Sequence, residues 1–246
     1  MKKRWILWVT LGMAVAVVAV MVEPTHVLRG WLRGERFFAG RPSSYWSKVI
    51  RDRHPVGRFE DAVGWVLGEE PKPAAVPMLI ELLEDKDDQV RFTACHVLAL
   101  NGTAARQAVP ALLKMLGHSN VFYRRNASHA LAAIGPDAAA INVLNEALKE
   151  EEAWVNYHAA IAVGKLGPQG KPAVPALLNL LKSKKATEVV DPGMPVEFQV
   201  RKEGEHTIVK TKPASPRPPG EGTVGYAALW ALRQIDPEQA KAAIRP

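Results

Sequence analysis

Apolar residues recur at helical spacing through the middle of the chain, and the pattern itself repeats about every 33 residues between residues 74 and 181. Three copies open on Ala-Val-Pro and continue through a leucine-rich run, and the first two of these lead to an alanine-rich segment that ends in glycine. A fixed period of about 20–50 residues is typical of a solenoid, in which each unit buries its apolar face against its neighbours.

The first half of each copy predicts a short amphipathic helix. Its apolar residues fall at i, i+3, i+4 and i+7, which is one face of a helix. In one copy these residues are Val76, Leu79, Ile80 and Leu83. Proline lies near the first turn of three copies, where its missing N–H costs the helical ladder little. These prolines are Pro77, Pro110 and Pro175.

The second half of each copy predicts an alanine-rich helix that approaches its neighbours closely and ends in a left-handed cap. A valine or tyrosine precedes the closing residue by twelve positions in five places, which predicts five units. The pairs are Val56 and Gly68, Val90 and Gly102, Tyr123 and Gly135, Val155 and Gly167, and Val224 and Asp236.

The last unit is interrupted by an insertion. Its first helix is predicted to end near Lys182, and its second begins only at about Thr223. Between them, residues 195–201 and 206–210 alternate as half-buried strands do and predict a hairpin, followed by a proline-rich stretch at 212–220. Both a functional loop and a tolerated surface insertion fit this pattern.

The repeats resemble HEAT repeats, in particular the short HEAT-like repeats named after phycobilisome lyases. The resemblance rests on Ala-Val-Pro-x-Leu-Leu in the first helix and Val-Arg-x-x-Ala…Leu…Gly in the second, and it is best over residues 73–182. It implies an all-α fold, a right-handed α-solenoid of about five helical hairpins whose second helices line the concave face.

In such repeats an acidic or amide residue before the second helix typically pairs with an early arginine of that helix. By resemblance, Asp87 or Asp88 would pair with Arg91, and Asn120 with Arg124. Asn156 and Gly225 take the arginine position in the last two units, so we expect the ladder to be interrupted there.

The N-terminus predicts an uncleaved membrane anchor of a bacterial type. Lys2, Lys3 and Arg4 precede eighteen uncharged residues, 5–22, which as a helix would be about 27 Å long and close to the ~30 Å hydrocarbon core. The rival interpretation is a cleaved signal peptide, but no A-x-A site follows the apolar segment. Basic residues flank both ends of the span, and the three that abut its start favour a cytoplasmic N-terminus with the repeat domain outside.

These boundaries give a predicted organisation in six parts. They are a transmembrane anchor (1–22), a basic juxtamembrane linker (23–42), a degenerate capping repeat (43–72), three regular repeats with the first helix of the last (73–184), the inserted hairpin and proline-rich loop (185–222), and the closing second helix (223–246).

Charge is concentrated near the anchor. The chain has a formal net charge of +7, but residues 1–58 carry +8 and the remainder sums to −1. The basic character therefore points to a membrane surface, and no nucleic-acid partner is expected for the near-neutral repeats.

We expect no catalytic residues, cofactor or metal, and a protein that is not an enzyme. The sequence has no nucleophile elbow, phosphate loop or H-E-x-x-H motif. His96 and His129 occupy equivalent positions of adjacent units, where Ile161 and Trp230 stand in later units, which indicates partly buried packing sites. Cys95 on an alanine-rich helix is expected to be a buried small hydrophobe.

The predicted function is that of a membrane-anchored scaffold that binds a protein or peptide on the concave face of the solenoid. Arginine and aromatic residues are enriched in binding hot spots. The candidates at the starts of the second helices and in the last unit are Arg91, Phe92, Tyr123, Arg124, Asn156, Tyr157 and Trp230. The alternative is an accessory subunit like those of bilin lyases, or another enzyme-associated HEAT-like protein.

Overall fold

The computed structural model describes residues 12–13, 26–53, 72–187, 196–203, 206–213 and 222–244. Apart from residues 12 and 13, the predicted span 5–22 lies outside this part of the chain, as does the second half of unit 1, which Val56 and Gly68 mark. None of the helices in the described residues is long and apolar enough to cross a bilayer.

The described chain is mostly helical, and the helices come in successive pairs. In chain order they are α1 (Val27–Arg33), α2 (Ser43–Arg53), α3 (Val76–Leu82), α4 (Asp88–Leu100), α5 (Val109–Leu116), α6 (Val121–Ile134), α7 (Ile141–Ala147), α8 (Ala153–Lys165), α9 (Val174–Lys182), α10 (Val224–Ile235) and α11 (Pro237–Ile244). Helix α2 is the first helix of unit 1, and the pairs α3/α4, α5/α6, α7/α8 and α9/α10 form units 2 to 5. The predicted repeat is therefore confirmed as a solenoid of helical hairpins.

Local sequence signals set the ends of these helices. Gly102, Gly135 and Gly167 have φ of +51°, +78° and +54°, the left-handed conformation that the closing glycines predicted. Short 3-10 turns then lead into the next first helix, as Gly102–Ala108 does for α5. Prolines stand in the first turn of α3, α5 and α9, where the sequence placed them.

Side-chain caps start the second helices. The Asp87 carboxylate accepts a hydrogen bond from the Gln89 N–H at 2.8 Å, and the Asn120 amide oxygen accepts one from the Phe122 N–H at 2.9 Å. Thr223 caps α10 in the same way through the Tyr226 N–H, at 3.1 Å. Such caps each stabilise a helix by about 1 kcal/mol, so the register of the second helices is encoded locally.

The core is a continuous apolar layer between first and second helices. Its large, fully buried side chains come from both helices of the pairs and include Leu79, Leu98, Leu112, Leu131, Leu144, Leu177 and Leu232. Burying each such leucine contributes roughly 1.5–3 kcal/mol. Because every unit supplies leucines to the gap beside it, stability depends on stacking.

The two helical layers pack unequally along the stack. Each of α4, α6 and α8 contacts the next second helix extensively, whereas successive first helices touch only sparsely. Alanine and glycine make the close approach possible: a Cβ on Gly164 of α8 would lie 2.4 Å from the Trp230 ring of α10. A stack that packs more closely on one side bends towards that side, so the second helices form the inner face.

Residues 26–42, within the segment expected to be a linker, form part of the fold. Helix α1 leads into a two-stranded hairpin of β1 (Phe37–Phe38) and β2 (Arg41–Pro42). Ala39 and Gly40 both have positive φ, +49° and +71°, as the tight primed turn between such strands requires. The Trp46 indole N–H of α2 donates to the Phe38 carbonyl at 3.1 Å and fixes the hairpin to unit 1.

The insertion in unit 5 contains the predicted hairpin. Strands β3 (Val196–Glu203) and β4 (His206–Pro213) pair antiparallel, with Val196 opposite Pro213 and Glu203 opposite His206. Both strands run further than the alternation predicted. A lone hairpin is marginal in water, so we expect it to lie against the solenoid or a partner.

The insertion leaves and rejoins the solenoid at one place. The 3-10 turn Lys184–Thr187 follows α9 and packs against α10. A Cβ on Gly225 would lie 2.8 Å from the Ala186 carbonyl oxygen, so the glycine is needed for this close approach. Because the exit and return points touch, the helical pair of unit 5 forms across the insertion, and the closure entropy rises only slowly with its length.

Candidate functional site

A row of aromatic and histidine side chains runs across the inner face from unit 2 to unit 4. We call it the aromatic row, and its members are Phe92, His96, Phe122, His129, Trp154, Tyr157 and His158. Phe92 and Phe122 lie 5.7 Å apart between ring centroids, and His96 stacks on His129 at 6.1 Å. These two contacts join α4 to α6.

The row continues from unit 3 into unit 4. The His129 ring meets His158 edge-on at 5.2 Å, and His158 in turn lies 4.8 Å from Trp154 and 5.0 Å from Tyr157. Aromatic pairs at such distances contribute about 0.5–1.5 kcal/mol beyond their buried area. The row therefore helps to join three units as well as forming their surface.

Trp230 extends the same face into unit 5. It occupies the position in α10 that His96 and His129 occupy in their helices, and its ring covers Gly164 of α8. A side chain at position 164 would occupy the space of the Trp230 ring, whose Cζ3 lies 2.4 Å from the site of such a Cβ. Glycine thus allows the indole to pack directly against the backbone of α8.

The row is partly open to solvent. Phe122 is 39% exposed, and the neighbouring Val121 is 37% exposed. Phe92, His129, Trp154 and Tyr157 are half-buried, which leaves ring edges available while the bodies of the side chains are fixed by packing. Held rings lose little conformational freedom on binding, which favours a binding surface.

His96 of the row is held as a neutral ring near pH 7. Burial, with the nearby His129 as a second cause, lowers the pKa of His96 to about 4. The Nδ1 atom of His158 lies 2.9 Å from the Trp154 carbonyl oxygen, and a carbonyl only accepts, so this nitrogen carries the proton. Among the described residues, no three metal-binding side chains are grouped closely enough to hold an ion.

The side chain of the predicted site residue Arg91 is mostly buried and bonds to other residues of the protein. Its guanidinium donates to the Asp85 carbonyl, to the Asp88 carboxylate and to the Tyr123 hydroxyl, and it lies 4.6 Å from the Tyr123 ring centroid. Only 16% of the side chain is exposed. The expected pairing of Arg91 with Asp88 is present, while Asp87 serves as the helix cap.

Arg124 occupies the equivalent position in unit 3 and also bonds within the protein, but to different partners. It donates to the carbonyls of His118 and Ser119 at 3.0 and 2.8 Å, and its Nε–H pairs with Glu150 of unit 4 at 2.7 Å. The partner expected by resemblance, Asn120, instead caps α6. The two arginines thus make contacts both within their own unit and with the next one.

Asn156 replaces the arginine in unit 4 and is fully buried. Its amide donates to the Ala147 carbonyl at 2.9 Å, at the end of α7. In unit 5 the position is Gly225, which packs on Ala186. The interruption foreseen in the ladder is therefore real, and the amide keeps one bond to the end of the first helix.

Two equivalent clefts lie between first helices at the turn edge of the stack. One, of about 630 Å³, separates units 2 and 3 beside Arg91, Lys114 and Tyr123. The other, of about 520 Å³, separates units 4 and 5 beside Asn145 and Lys185. Charged side chains such as Lys114 and Lys185 stand at their rims, but their walls are largely apolar.

The seven predicted site residues therefore separate into three groups. Phe92, Tyr157 and Trp230 belong to the inner aromatic face. Arg91, Tyr123 and Arg124 lie at its edge in contacts between units, and Asn156 is inside the core. Sequence reasoning missed Phe122 and Trp154, although both stand directly before the valine or tyrosine that marks each second helix.

Several solved structures match the chain. The complex of CpcE and CpcF of phycocyanin lyase from Nostoc sp. matches with a TM-score of 0.50 and 20% identity, covering 85% of this chain and 72% of that one. An engineered protein matches with a TM-score of 0.48 and 21% identity over 82% and 78% of the two chains. A designed armadillo repeat protein in complex with the peptide (KR)4 gives 0.49 and 15% over 80% and 86%.

The sequence comparisons agree with the repeat architecture. No curated protein matches the chain by sequence. The family model described as HEAT repeats matches three overlapping stretches, residues 46–132, 76–155 and 109–191. Together these stretches cover more than half of the chain and include the helices that carry the aromatic row. The chain therefore belongs to the HEAT-repeat family.

Proposed function

We propose that this protein is a non-enzymatic, membrane-tethered scaffold that binds a protein or peptide along the aromatic row. The observation that carries the proposal is the unbroken series of ring contacts on the face where the second helices meet. It runs from Phe92 to His96, at 6.4 Å between ring centroids, and on through His129 and His158 to Trp154. A surface that is continuous across three units fits an extended segment better than a small molecule.

The chemistry of the face defines the segment it would hold. Rings of phenylalanine, tryptophan and neutral histidine favour apolar and aromatic side chains. Arg125 borders the row with 48% of its side chain exposed, and its guanidinium pairs with Glu152 at 2.7 Å. A partner carboxylate at this edge would share Arg125 with Glu152. We therefore propose an extended peptide with apolar anchors and acidic residues beside them.

Photo-crosslinking tests this proposal directly. A photoreactive phenylalanine analogue replaces Phe122 on the row or Val143 on α7 of the outer layer, two positions with 39% and 37% exposure. In native membranes we expect a defined protein adduct at position 122 and none at 143. Equal labelling at both positions would count against the row as the binding face. So would a Phe122→Ala variant that still binds every partner of the native chain.

The tether and its orientation form a separate part of the proposal. Support comes from the sequence: residues 5–22 are uncharged, and Lys2, Lys3 and Arg4 precede them. We propose a cytoplasmic N-terminus and an extracytoplasmic repeat domain. Protease added to intact spheroplasts should then digest the repeat domain, and a protected domain would reverse the orientation.

The alternative is an accessory role in chromophore attachment. It is suggested by the structural similarity to a phycocyanin lyase complex. At 20% identity that similarity concerns the fold alone. Co-expression with a linear tetrapyrrole distinguishes the two proposals. Visible absorbance that remains with the purified protein and falls in the Trp154→Ala variant would favour chromophore binding over peptide binding.

A further inference from the structure

Helix α1 turns its large apolar side chains outward. Trp31 is 73% exposed, Leu32 65% and Leu28 51%. The spacing of i, i+3 and i+4 places the three on one side of the helix. Single exposed apolar residues are common on soluble surfaces, but a contiguous group that includes a tryptophan marks an interaction site.

The opposite side of α1 is what attaches it to the protein. At about 100° per residue, Gly30 faces away from the three apolar side chains. Gly30 is buried, and a Cβ there would lie 2.3 Å from the Cβ of Pro42. The helix packs through its glycine on β2 and cannot turn over without a clash, so the outward apolar side is fixed by the fold.

Hydrogen bonds connect α1 and the segment that follows it to units 1 and 2. Glu35, two residues after the end of α1, accepts from the Ser44 N–H of α2 at 3.0 Å. Glu81 of α3 accepts from the Arg36 N–H at 2.7 Å and from the Ser43 hydroxyl at 2.8 Å. The exposed side of α1 therefore has a set direction relative to the solenoid.

Positive charge lies along one margin of the apolar side. Arg29 and Arg33 lie on α1 itself, and Arg36 follows it in an exposed position. The Arg33 side chain is 57% exposed and lies 3.8 Å from Glu35. Tryptophan and leucine on one side of a helix with arginine at its margins are typical of helices that lie in a membrane interface. Arginine stems cover apolar surface there while the guanidinium groups reach lipid phosphates.

We propose that α1 lies in the interface of an anionic lipid bilayer, with Leu28, Trp31 and Leu32 at the boundary of headgroups and acyl chains. The inference rests on the proposed tether, because the uncharged segment 5–22 ends only four residues before His26 and delivers α1 to the membrane surface. It adds a second contact that holds the unit 1 end of the solenoid against the bilayer.

The test uses the full chain in vesicles of phosphatidylcholine, with or without phosphatidylglycerol. A nitroxide is attached at Leu32→Cys or, as the control, at Val143→Cys on the outer layer. The native Cys95 is 1% exposed and should not take the label. With phosphatidylglycerol present, we expect collisions with oxygen to exceed collisions with a water-soluble nickel complex at position 32, and the reverse at 143.

Vesicle flotation separates the possible failures. A chain that floats with vesicles while the label at 32 remains as water-accessible as that at 143 overturns the interfacial helix and leaves the tether intact. A chain that floats only with anionic vesicles, with the label immersed, supports the helix and removes the tether.

Two further measurements define the chemistry. Spin–spin coupling between labels at position 32 of different chains would show that a second copy covers α1, which overturns the proposal. Replacing Arg29 and Arg33 by glutamine should reduce immersion in phosphatidylglycerol vesicles and leave phosphatidylcholine vesicles little changed. An equal effect in both lipids would overturn the assignment of an anionic surface.

Discussion

The Tyr123 hydroxyl of unit 3 donates a hydrogen bond to the Asp88 carboxylate of unit 2 at 2.7 Å. The same hydroxyl accepts from Arg91, whose guanidinium also holds the Asp85 carbonyl. One tyrosine thus links two units through the turn that precedes α4. In a solenoid each unit is stabilised by its neighbours, so such contacts contribute to cooperativity as well as to local structure.

Removing this hydroxyl should weaken the coupling between units 2 and 3. We expect Tyr123→Phe to lower the free energy of unfolding by about 1 kcal/mol, because hydrogen bonds are lost but the ring is kept. Denaturant unfolding measures the change. In a double-mutant cycle with Asp88→Asn the two effects should not add, and strict additivity would show that the two residues do not interact.

The same pair gives a pH dependence. The hydrogen bond to Asp88, with burial as a further cause, raises the pKa of Tyr123 above its ordinary value of about 10. The contribution is therefore complete below pH 10 and is lost as the pH rises through the raised pKa. The stability difference between the native chain and Tyr123→Phe should shrink in that range, as thermal unfolding at increasing pH would show.

The repeat could be predicted from the sequence because its signals are local. Apolar spacing, prolines in first turns and closing glycines each act within a few residues, and the helices follow them. The use made of Arg91 could not be predicted in full, because its third partner, Tyr123, lies 32 residues away in the next unit. Repeat patterns specify positions well but do not show whether a side chain at a position faces solvent or a neighbour.

The folded segment 26–42 could not be predicted for a related reason. Its arginines and its place after an apolar segment suggested a linker, whereas its attachment depends on Gly30 against Pro42 and on Glu81 from a later unit. The aromatic row was only partly foreseen. Phe92 and Tyr157 were chosen for their type, but the row forms because α4, α6 and α8 lie side by side.

Burial of His96 should make the protein sensitive to mild acid. Its pKa is lowered to about 4 from an ordinary 6.5, so the unfolded chain takes up a proton that the folded chain resists. The free energy of unfolding is unaffected by this histidine above pH 6.5. It falls as the pH decreases towards 4, by an amount on the order of 3 kcal/mol.

The stability of a His96→Phe variant should depend less on pH over that range, because phenylalanine keeps an aromatic ring at this position but cannot bind a proton. Thermal unfolding between pH 7 and 4 measures the difference, with His118→Phe at the turn edge as the control. Parallel pH curves for the native chain and His96→Phe would show that His96 is not the group responsible.

Cys95 should report on the intactness of the stack. It is the single cysteine of the chain, and burial raises the pKa of its thiol to about 12. Its sulfur lies 3.5 Å from that of Met115 in the next unit. Since the thiolate is the reactive form, we expect very slow labelling of the native protein at pH 8 and rapid labelling once units 2 and 3 separate. Fast labelling under native conditions would mean that this interface opens readily.

The contact of Trp230 with Gly164 provides a test of both packing and function. In Gly164→Ala the new Cβ would meet the Trp230 ring at 2.4 Å and the Ala231 Cα at 3.0 Å, so α8 and α10 must move apart. We expect a loss of about 1–3 kcal/mol in the free energy of unfolding, as is usual for overpacking. Gly117→Ala is the matched control, because its nearest neighbour, the Lys114 carbonyl oxygen, would be at an ordinary 3.6 Å.

Displacement of Trp230 should also disturb the inner face at unit 5. The photo-adduct at position 122 should survive in Gly164→Ala if the partner occupies only units 2 to 4, and it should weaken if the partner extends over Trp230. The double variant Gly164→Ala/Trp230→Leu should regain part of the lost stability because the smaller side chain leaves room for the methyl group. If Gly164→Ala were as stable as Gly117→Ala, the close approach of α8 and α10 would be disproved, and with it the continuation of the aromatic face into unit 5.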